Sequence, residues 1–365
     1  MQRIGIIMAG GSGERFWPVS RKHRPKQLLK LTSPDETMLG ESVSRLAPLI
    51  APEHVYVVTG EHLIEPIREA GVGLPDDNVI AEPAKRNTAG ALAYAAAHAM
   101  AKYNDDGAGL TMAIVTADHL IGNPERFRAT VEAALEQAET RDALVTLGIV
   151  PARPETGYGY IRAVAPLNEG ADIPAYEVAE FLEKPDEARA RQFVESGSYY
   201  WNSGMFFWKV SAFLAELEHA RPPLAEATRT MADAMAKGDD ALVRRTFEAL
   251  EDISIDYALM EHAREVIMVR ADFPWDDVGA WTALDRTQPK DEQGNVTAGD
   301  PVLADTRNSI VFNDAGADKM AVGVVGMEDV IVVATEDAVL VMPKDRAQDV
   351  RKVVQALKER QAPQL

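Results

Sequence analysis

The sequence predicts an α/β fold, a mostly parallel sheet covered by helices on both faces, followed by a small β-rich C-terminal piece. Three observations carry this expectation. Short apolar runs of β-type residues recur at 3–9 (RIGIIMA), 54–60 (HVYVVTG), 110–119 (LTMAIVTADH) and 143–150 (ALVTLGIV). Continuous runs of this kind suit strands buried on both faces. Between them lie stretches of helical length at 38–50, 88–103 and 124–140, and strands alternating with helices make a parallel sheet. From 291 to 344 the chain turns to short β-rich pieces separated by Gly, Asn and Asp, the pattern of a small β domain or a few coils of β-helix.

Taken in order, the first strand feeds a glycine-rich loop, and the third helix has Asn123 at its cap and Pro124 at its first position. From 157 the alternation loosens. GYGYIRAV and AYEVAEFLEKPD read as strands of a less regular second half, with helices at 186–195, 211–219, 223–235 and 240–249. A charged helix, RAQDVRKVVQALKER, closes the chain. The expected division is a main domain over 1–290 and a small β-rich domain with a terminal helix over 291–365.

Composition narrows the class of function. With 57 acidic against 38 basic residues the formal net charge is −19, a surface that repels nucleic acid, so none is expected as a partner. The absence of cysteine excludes disulfides and thiolate-bound metals and agrees with a reducing compartment. IGIIMAGG is too short an apolar run for a signal peptide. No stretch approaches the roughly 20 apolar residues that span a bilayer. A cytoplasmic protein with no membrane partner is the expectation.

Against that acidic background, MAGGSGERFWPVSRKHRPKQ (8–27) concentrates cations behind a bare loop. Ala9, Gly10, Gly11, Ser12 and Gly13 follow a strand, where glycines let several N–H groups converge on an anion. A plain βα turn would use the same residues. The pattern is not a Walker A loop, since no Gly-Lys-Ser/Thr follows. Arg15 and Lys26 favour the anion, because a guanidinium clamps phosphate through two donors and an ammonium adds a point charge. Arg21, Lys22 and Arg24 are expected to be solvated or part of a lid. Asp118 ends an apolar strand, at the edge where open α/β sheets bind ligands, although a lone Asp there would as readily cap the next loop. Asp276 and Asp277 lie among aromatics in FPWDDVGAW, where an unpaired carboxylate is costly.

The run MAGGSGERFWPVS with RPKQ resembles the signature of the sugar-phosphate nucleotidyltransferases, and within them the mannose-1-phosphate guanylyltransferases. EPAKRNTAGA (82–91), VTADH (115–119), PETGYGYI (154–161), FLEKPD (181–186), WNSGMFFW (201–208), SIDYALME (254–261) and WDDVGAW (275–281) agree in order and spacing. The likeness runs over roughly residues 3–345 and implies a Rossmann-like nucleotide-diphospho-sugar transferase fold. It implies transfer of GMP from GTP to α-D-mannose 1-phosphate, with GDP-mannose and pyrophosphate as products. By the same likeness Asp118 and Asp277 hold Mg2+, with Asp276 a neighbour or surface residue; His119 has no partner histidine at zinc-ligand spacing and reads as structural or as a neighbour of the metal ligands. Lys184 would contact the sugar phosphate and Glu183 the sugar hydroxyls. Asn202 offers donor and acceptor to the ring. Gly157 and Gly159 let the backbone approach it, and Tyr158 between them is either contact or packing.

Guanine presents N1–H and a 2-amino group together, which one carboxylate can accept. Glu82 is the candidate reader, with Arg86, Asn87 and Thr88 capping the next helix and lining the nucleotide. A capping Asn or Thr beside a solvent-facing Glu is the plainer alternative. The chain departs from the family at Gly90, at Thr116-Ala117 and at Ala280, positions that bear on fine substrate preference. Two rival expectations stand beside the main one: a guanylyltransferase of broad or glucose-1-phosphate preference, and a nonenzymatic regulatory subunit that binds nucleotide sugar. Arg15, Lys26, Asp118 and Asp277 are all present, which weighs against the second. No isomerase activity is expected, and a homodimer is.

Overall fold

The structure is a computed structural model and describes residues 1–11 and 13–365. Two compact units form: Met1–Met8, Ser42–Thr116 and Gly122–Pro274 make the first, and Ala9–Glu41, Ala117–Ile121 and Trp275–Leu365 the second. Each is assembled from stretches far apart in the chain. The strands through residue 276 are β1 (Gln2–Met8), β2 (Val55–Gly60), β3 (Val79–Glu82), β4 (Leu110–Thr116), β5 (Leu120–Ile121), β6 (Leu144–Ile149), β7 (Gly159–Pro166), β8 (Ala175–Glu183), β9 (Tyr199–Lys209), β10 (Val266–Ala271) and β11 (Trp275–Asp276).

In the first unit nine of these form one mixed sheet in the order β3-β2-β1-β4-β9-β6-β10-β8-β7. β3, β2, β1 and β4 are parallel, as the alternating pattern predicts. β6 and β10 are also parallel, while β9 runs antiparallel between β4 and β6. Ile4, Ile6, Tyr56, Val58, Met112 and Ile114 are alternate residues of β1, β2 and β4, and all enter one core cluster. That is the period-two rule of a pleated strand. The helices of the chain to that point are α1 (Met38–Leu46), α2 (Ile64–Glu69) and α3 (Asn87–Tyr103). The alanines of α3, from Ala89 to Ala99, fill the other side of this cluster, and their small side chains bring the helix axis close to the sheet.

The remaining helices of the first unit are α4 (Pro124–Arg141), α5 (Glu187–Ser196), α6 (Val210–Ala220), α7 (Pro222–Ala236) and α8 (Asp240–Glu248). Asn123 caps α4 as its sequence predicts, its Oδ1 accepting from Arg126 N at 3.1 Å. β3 escaped the sequence pattern because it is four residues long and only half of it is buried. β9 escaped because its glycine and asparagine interrupt the apolar run that otherwise marks a buried strand.

The second unit carries α9 (Leu284–Thr287) and α10 (Val350–Glu359), with β12 (Val296–Ala298), β13 (Val302–Ala304), β14 (Ile310–Asn313), β15 (Gly323–Val325), β16 (Val330–Ala334) and β17 (Val339–Pro343). β12, β14 and β16 stack in parallel with Val296, Ile310 and Ile331 in register. β13 pairs in parallel with β15 beside them. These are successive coils of a short β-helix, the second of the two forms expected. Asn295 closes a corner between coils, donating to Thr306 O at 2.9 Å and accepting from Ser309 N at 3.0 Å.

The inward stack of Val296, Ile310 and Ile331 continues into Phe16, Trp17, Val19, Leu29, Met38 and Trp281, with Val350 and Val354 of α10. The segment after β1 therefore folds on the C-terminal coils. Arg21 pairs with Asp337 at 2.6 Å and Arg24 with Asp314 at 3.0 Å. Arg21 is a correction, since it is largely withdrawn from solvent by this pairing, whereas Lys22 and Arg24 are exposed, as expected, Arg24 with its surface ion pair.

Ile331 has no exposed surface, whereas Val341 is 61% exposed. Ile331→Ala should cost about 2–5 kcal/mol through lost burial and a residual cavity. Val341→Ala should stay within about 0.5 kcal/mol. Urea unfolding of the two variants beside the parent protein checks the contrast.

Candidate active site

The second unit holds the glycine loop, both cations and both aspartates. Ala9 is buried and its carbonyl accepts from Gln27 Nε2 at 2.7 Å. Gly10 and Gly11 are exposed; Ser12 lies outside the described residues. Gly13 has φ +59°, and a Cβ there would stand 2.5 Å from Lys26 Cβ and 2.7 Å from Lys26 N. Only glycine supplies both the left-handed turn and this close approach. A 3-10 turn, Glu14–Phe16, follows, anchored by buried Phe16.

Lys26 is 5% exposed. Its ammonium donates to Asp118 Oδ2 at 2.9 Å and to the carbonyl of Asp277 at 2.7 Å. The Asp118 carboxylate and the main-chain carbonyl of Asp277, 159 positions apart in the sequence, thus meet at one nitrogen. Burial by itself would raise the Asp118 carboxyl, yet the charges of Lys26 and His119 hold it below the usual carboxylate range. His119 accepts from Trp275 Nε1 at 3.3 Å with the rings edge-on, and its Nε2 lies 3.8 Å from Asp118 Oδ1.

Of the two places expected for Asp276, the structure gives the neighbour and not the surface: it is buried, and its carboxylate is committed to Val278 N at 2.9 Å and to Arg286 at 2.8 and 3.1 Å. Val278, fully buried, has φ +46°, a conformation that is unusual for a β-branched residue. The Asp276–Arg286 pair and the packing of Val278 together impose this turn, which presents Asp277. Strained residues of this kind cluster at functional sites.

Arg15 is half-buried and donates through Nη1 to Gly279 O at 3.2 Å. Its Nε is buried without an acceptor among the described residues. Desolvation lowers its pKa, Arg351 lowers it further, and Asp277 opposes. A guanidinium stays charged under such a shift, so the site holds a fixed cation with an unused donor.

The first unit holds the residues expected to read sugar and base. Gly159 on β7 faces Glu183 on β8, and a Cβ at Gly159 would come 2.5 Å from Glu183 Oε2. Lys184 Nζ lies 2.6 Å from Glu183 Oε1. Burial works against the Lys184 charge, but the contact with Glu183 outweighs it and raises the pKa. Lys184 has φ +48°, and its N–H donates to Tyr158 O at 3.2 Å. The Tyr158 ring stands edge-on to Trp201 at 5.1 Å, and its hydroxyl accepts from Arg153 Nη2 at 3.4 Å. Gly157 is exposed on the same loop.

Asn202 donates to Asp256 Oδ1 at 3.0 Å and accepts from Thr146 Oγ1 at 3.2 Å. Asp256, at the start of a one-turn π-helix Asp256–Met260, is the residue sequence reasoning missed. Burial, and then the Glu183 charge, push its carboxyl up to about 6. SIDYALME carried it in plain view, yet a single acid in a helical pattern gives no sign that Glu183, Lys184 and Asn202 surround it. π-turns recur at functional sites.

At the end of β3, Glu82 is half-buried and desolvation pushes its carboxyl up to about 7, unlike a solvent-facing capping neighbour. The expected caps are corrected: Arg86 is the residue before α3, and no side chain caps that end. Arg86 donates instead to Lys85 O at 2.8 Å and to Glu248 O. Asn87 has φ +56° and accepts from Thr88 N, and Thr88 Oγ1 accepts from Ile255 N at 2.8 Å.

Among the described residues no three His, Asp or Glu side chains gather as a metal cage. Asp118 and Asp277 are an oxygen-only pair, which suits a hard cation that takes its other ligands from phosphate and water.

Residues 4–294 match the family described as "Nucleotidyl transferase", and residues 299–357 the "MannoseP isomerase/GMP-like beta-helix domain". A "Mannose-1-phosphate guanylyltransferase" of Klebsiella pneumoniae is 41% identical over 98% of this chain and 74% of its own length. The Pseudomonas aeruginosa "Alginate biosynthesis protein AlgA" is 41% identical over 97% of this chain and 72% of its own. Among solved structures, a Thermus thermophilus protein described as "mannose-1-phosphate geranyltransferase" superposes with TM-score 0.86 at 36% identity, covering 98% of this chain and 100% of that one.

Gly13→Ala should lower the melting temperature, because it combines a left-handed φ with a clash on Lys26. Gly11→Ala meets open space and should melt as the parent does. A thermal melt of both variants checks the assignment.

Proposed function

The chain belongs to the mannose-1-phosphate guanylyltransferase family of nucleotidyl transferases, and from this we propose that it transfers GMP from GTP to α-D-mannose 1-phosphate. The observation that carries the reading is the Lys26 ammonium held between Asp118 and the Asp277 carbonyl, with the unfilled Arg15 donor in the same unit.

A phosphate oxygen of the sugar attacks the α-phosphorus of GTP. The bond from that phosphorus to the bridging oxygen breaks, and pyrophosphate leaves with the electron pair. The attacking oxygen is already ionised, so the residues need only position and neutralise. Arg15 fills its free donor on the triphosphate, and Lys26, fixed by its two oxygens, is preorganised for the same charge. Lys184 takes the acceptor phosphate, while Glu183, Asn202 and Asp256 bind sugar hydroxyls. Asp118 and Asp277 would hold Mg2+, which when bound supplies further neutralisation of the phosphates.

Glu82 reads guanine in its ionised form. Its carboxyl is pushed up to about 7, so the protonated form that prevails below this pH has lost an acceptor. GTP should therefore bind better as pH rises through 7, with KM climbing by up to about tenfold per unit at lower pH. Glu82→Gln should flatten that dependence and relax the preference for guanine. A KM profile from pH 5.5 to 8.5 distinguishes the two.

Pyrophosphate release with GTP, ATP, UTP and dTTP, each against mannose 1-phosphate and glucose 1-phosphate, tests the reaction. Signal only for GTP with mannose 1-phosphate is expected, and silence in every pair would defeat the proposal. Arg15→Ala should lower kcat by about a hundredfold or more and leave the sugar-phosphate KM nearly unchanged. The proposed setting is the cytoplasm, and the proposed assembly a homodimer.

A further inference from the structure

We propose that Arg351, on the C-terminal helix, is a third cation of the triphosphate site and binds the pyrophosphate end of the nucleotide together with Arg15. The inference rests on the nucleotidyl-transfer reading and adds a residue from the C-terminal part of the chain to it.

Within the second unit, α10 is seated against the turn that carries Arg15. Val350 and Val354 are buried in the same core as Phe16, the residue after Arg15. Lys358 Nζ lies 2.6 Å from Glu14 Oε1, the residue before Arg15. Arg351 and Lys358 are seven positions apart, two turns of helix, and so share a face. That face follows the turn Glu14–Phe16, with Lys358 on Glu14 and Arg351 near Arg15. The proximity is felt electrostatically, since the Arg351 charge is the second cause, after desolvation, that lowers the Arg15 pKa.

What distinguishes Arg351 is that none of the described residues pairs with it. Its helix neighbours Arg346 and Lys352 both pair with Asp349. No hydrogen bond or ion pair joins Arg351 to any of the described residues, and it is exposed. Arg15 keeps a buried Nε without an acceptor. Two guanidinium groups brought near each other, each with unused donors, repel in the free protein. An anion with several oxygens removes the repulsion and fills both forks. Pyrophosphate, whether still bridged to the nucleotide or as the departing product, has that charge and that number of acceptors.

The test is calorimetric titration of inorganic pyrophosphate into the full chain and into Arg351→Ala, Arg351→Lys and Lys352→Ala. Arg351→Ala should weaken pyrophosphate by about tenfold or more, as the loss of a charge-assisted contact does. Arg351→Lys should recover part of this. Lys352→Ala, which removes the same charge one residue away, should bind as the parent does. In steady state Arg351→Ala should raise the GTP KM and the inhibition constant of pyrophosphate, with the mannose 1-phosphate KM unchanged. Equal pyrophosphate affinity in the parent and Arg351→Ala would overturn the proposal, and so would an equal loss in Lys352→Ala, which would reduce the effect to general surface charge. A parent protein that binds pyrophosphate through Arg351 but transfers no nucleotide would defeat the functional reading alone.

Discussion

A lysine ammonium that is almost wholly buried needs oxygen around it, and Lys26 obtains it from the Asp118 carboxylate and the Asp277 carbonyl. Taking Asp118 away would leave the buried Lys26 charge with one oxygen fewer, the costly outcome of breaking an ion pair whose cation is buried. Much of the second unit is arranged to hold these groups where they meet. Gly13 has no side chain, so the loop can pass within contact of the Lys26 backbone. Val278 accepts a left-handed backbone so that the Asp277 carbonyl turns to Lys26. Asp276 is tied to Arg286 and to Val278 N, which keeps that turn from relaxing.

The β-helix coils contribute to the site through packing. Their inward valines and isoleucines share a core with Phe16 and Trp17, which follow Arg15 in the chain, and with Val278 and Trp281, which follow Asp277. Arg21 and Arg24 clip the same segment to Asp337 and Asp314. A glycine-rich loop has little structure of its own, and a packed hydrophobic support with ion pairs at its rim gives it one conformation.

In the first unit the same economy of parts appears around Asp256. Glu183, Lys184 and Asn202 come from two strands and the turn after one of them, and Asp256 from a π-turn far along the chain. The carboxyl of Asp256 rises because burial and a neighbouring carboxylate both disfavour its charge. Glu82 rises by desolvation alone. Perturbed acids beside polar partners mark a site prepared for a ligand rather than a solvated surface.

The sequence by itself determined the α/β class, the parallel strands β1, β2 and β4, the cap of α4 and the β-rich character of the C-terminal coils. These follow from local patterns: apolar runs, a side-chain oxygen before a proline, and short strands between turn residues. It also singled out Arg15 and Lys26 as cations behind a bare loop, while Asp118 and Asp277 were picked out by the resemblance of their motifs to a known family. Tertiary structure alone decided what each one touches. The insertion of β9 between β4 and β6, the burial of Asp276, the pairing of Arg21 and Arg24, the place of Asp256 and the nearness of Arg351 to Arg15 all join residues far apart in the chain. No local pattern records such a contact, because its energy comes from partners that only folding brings together.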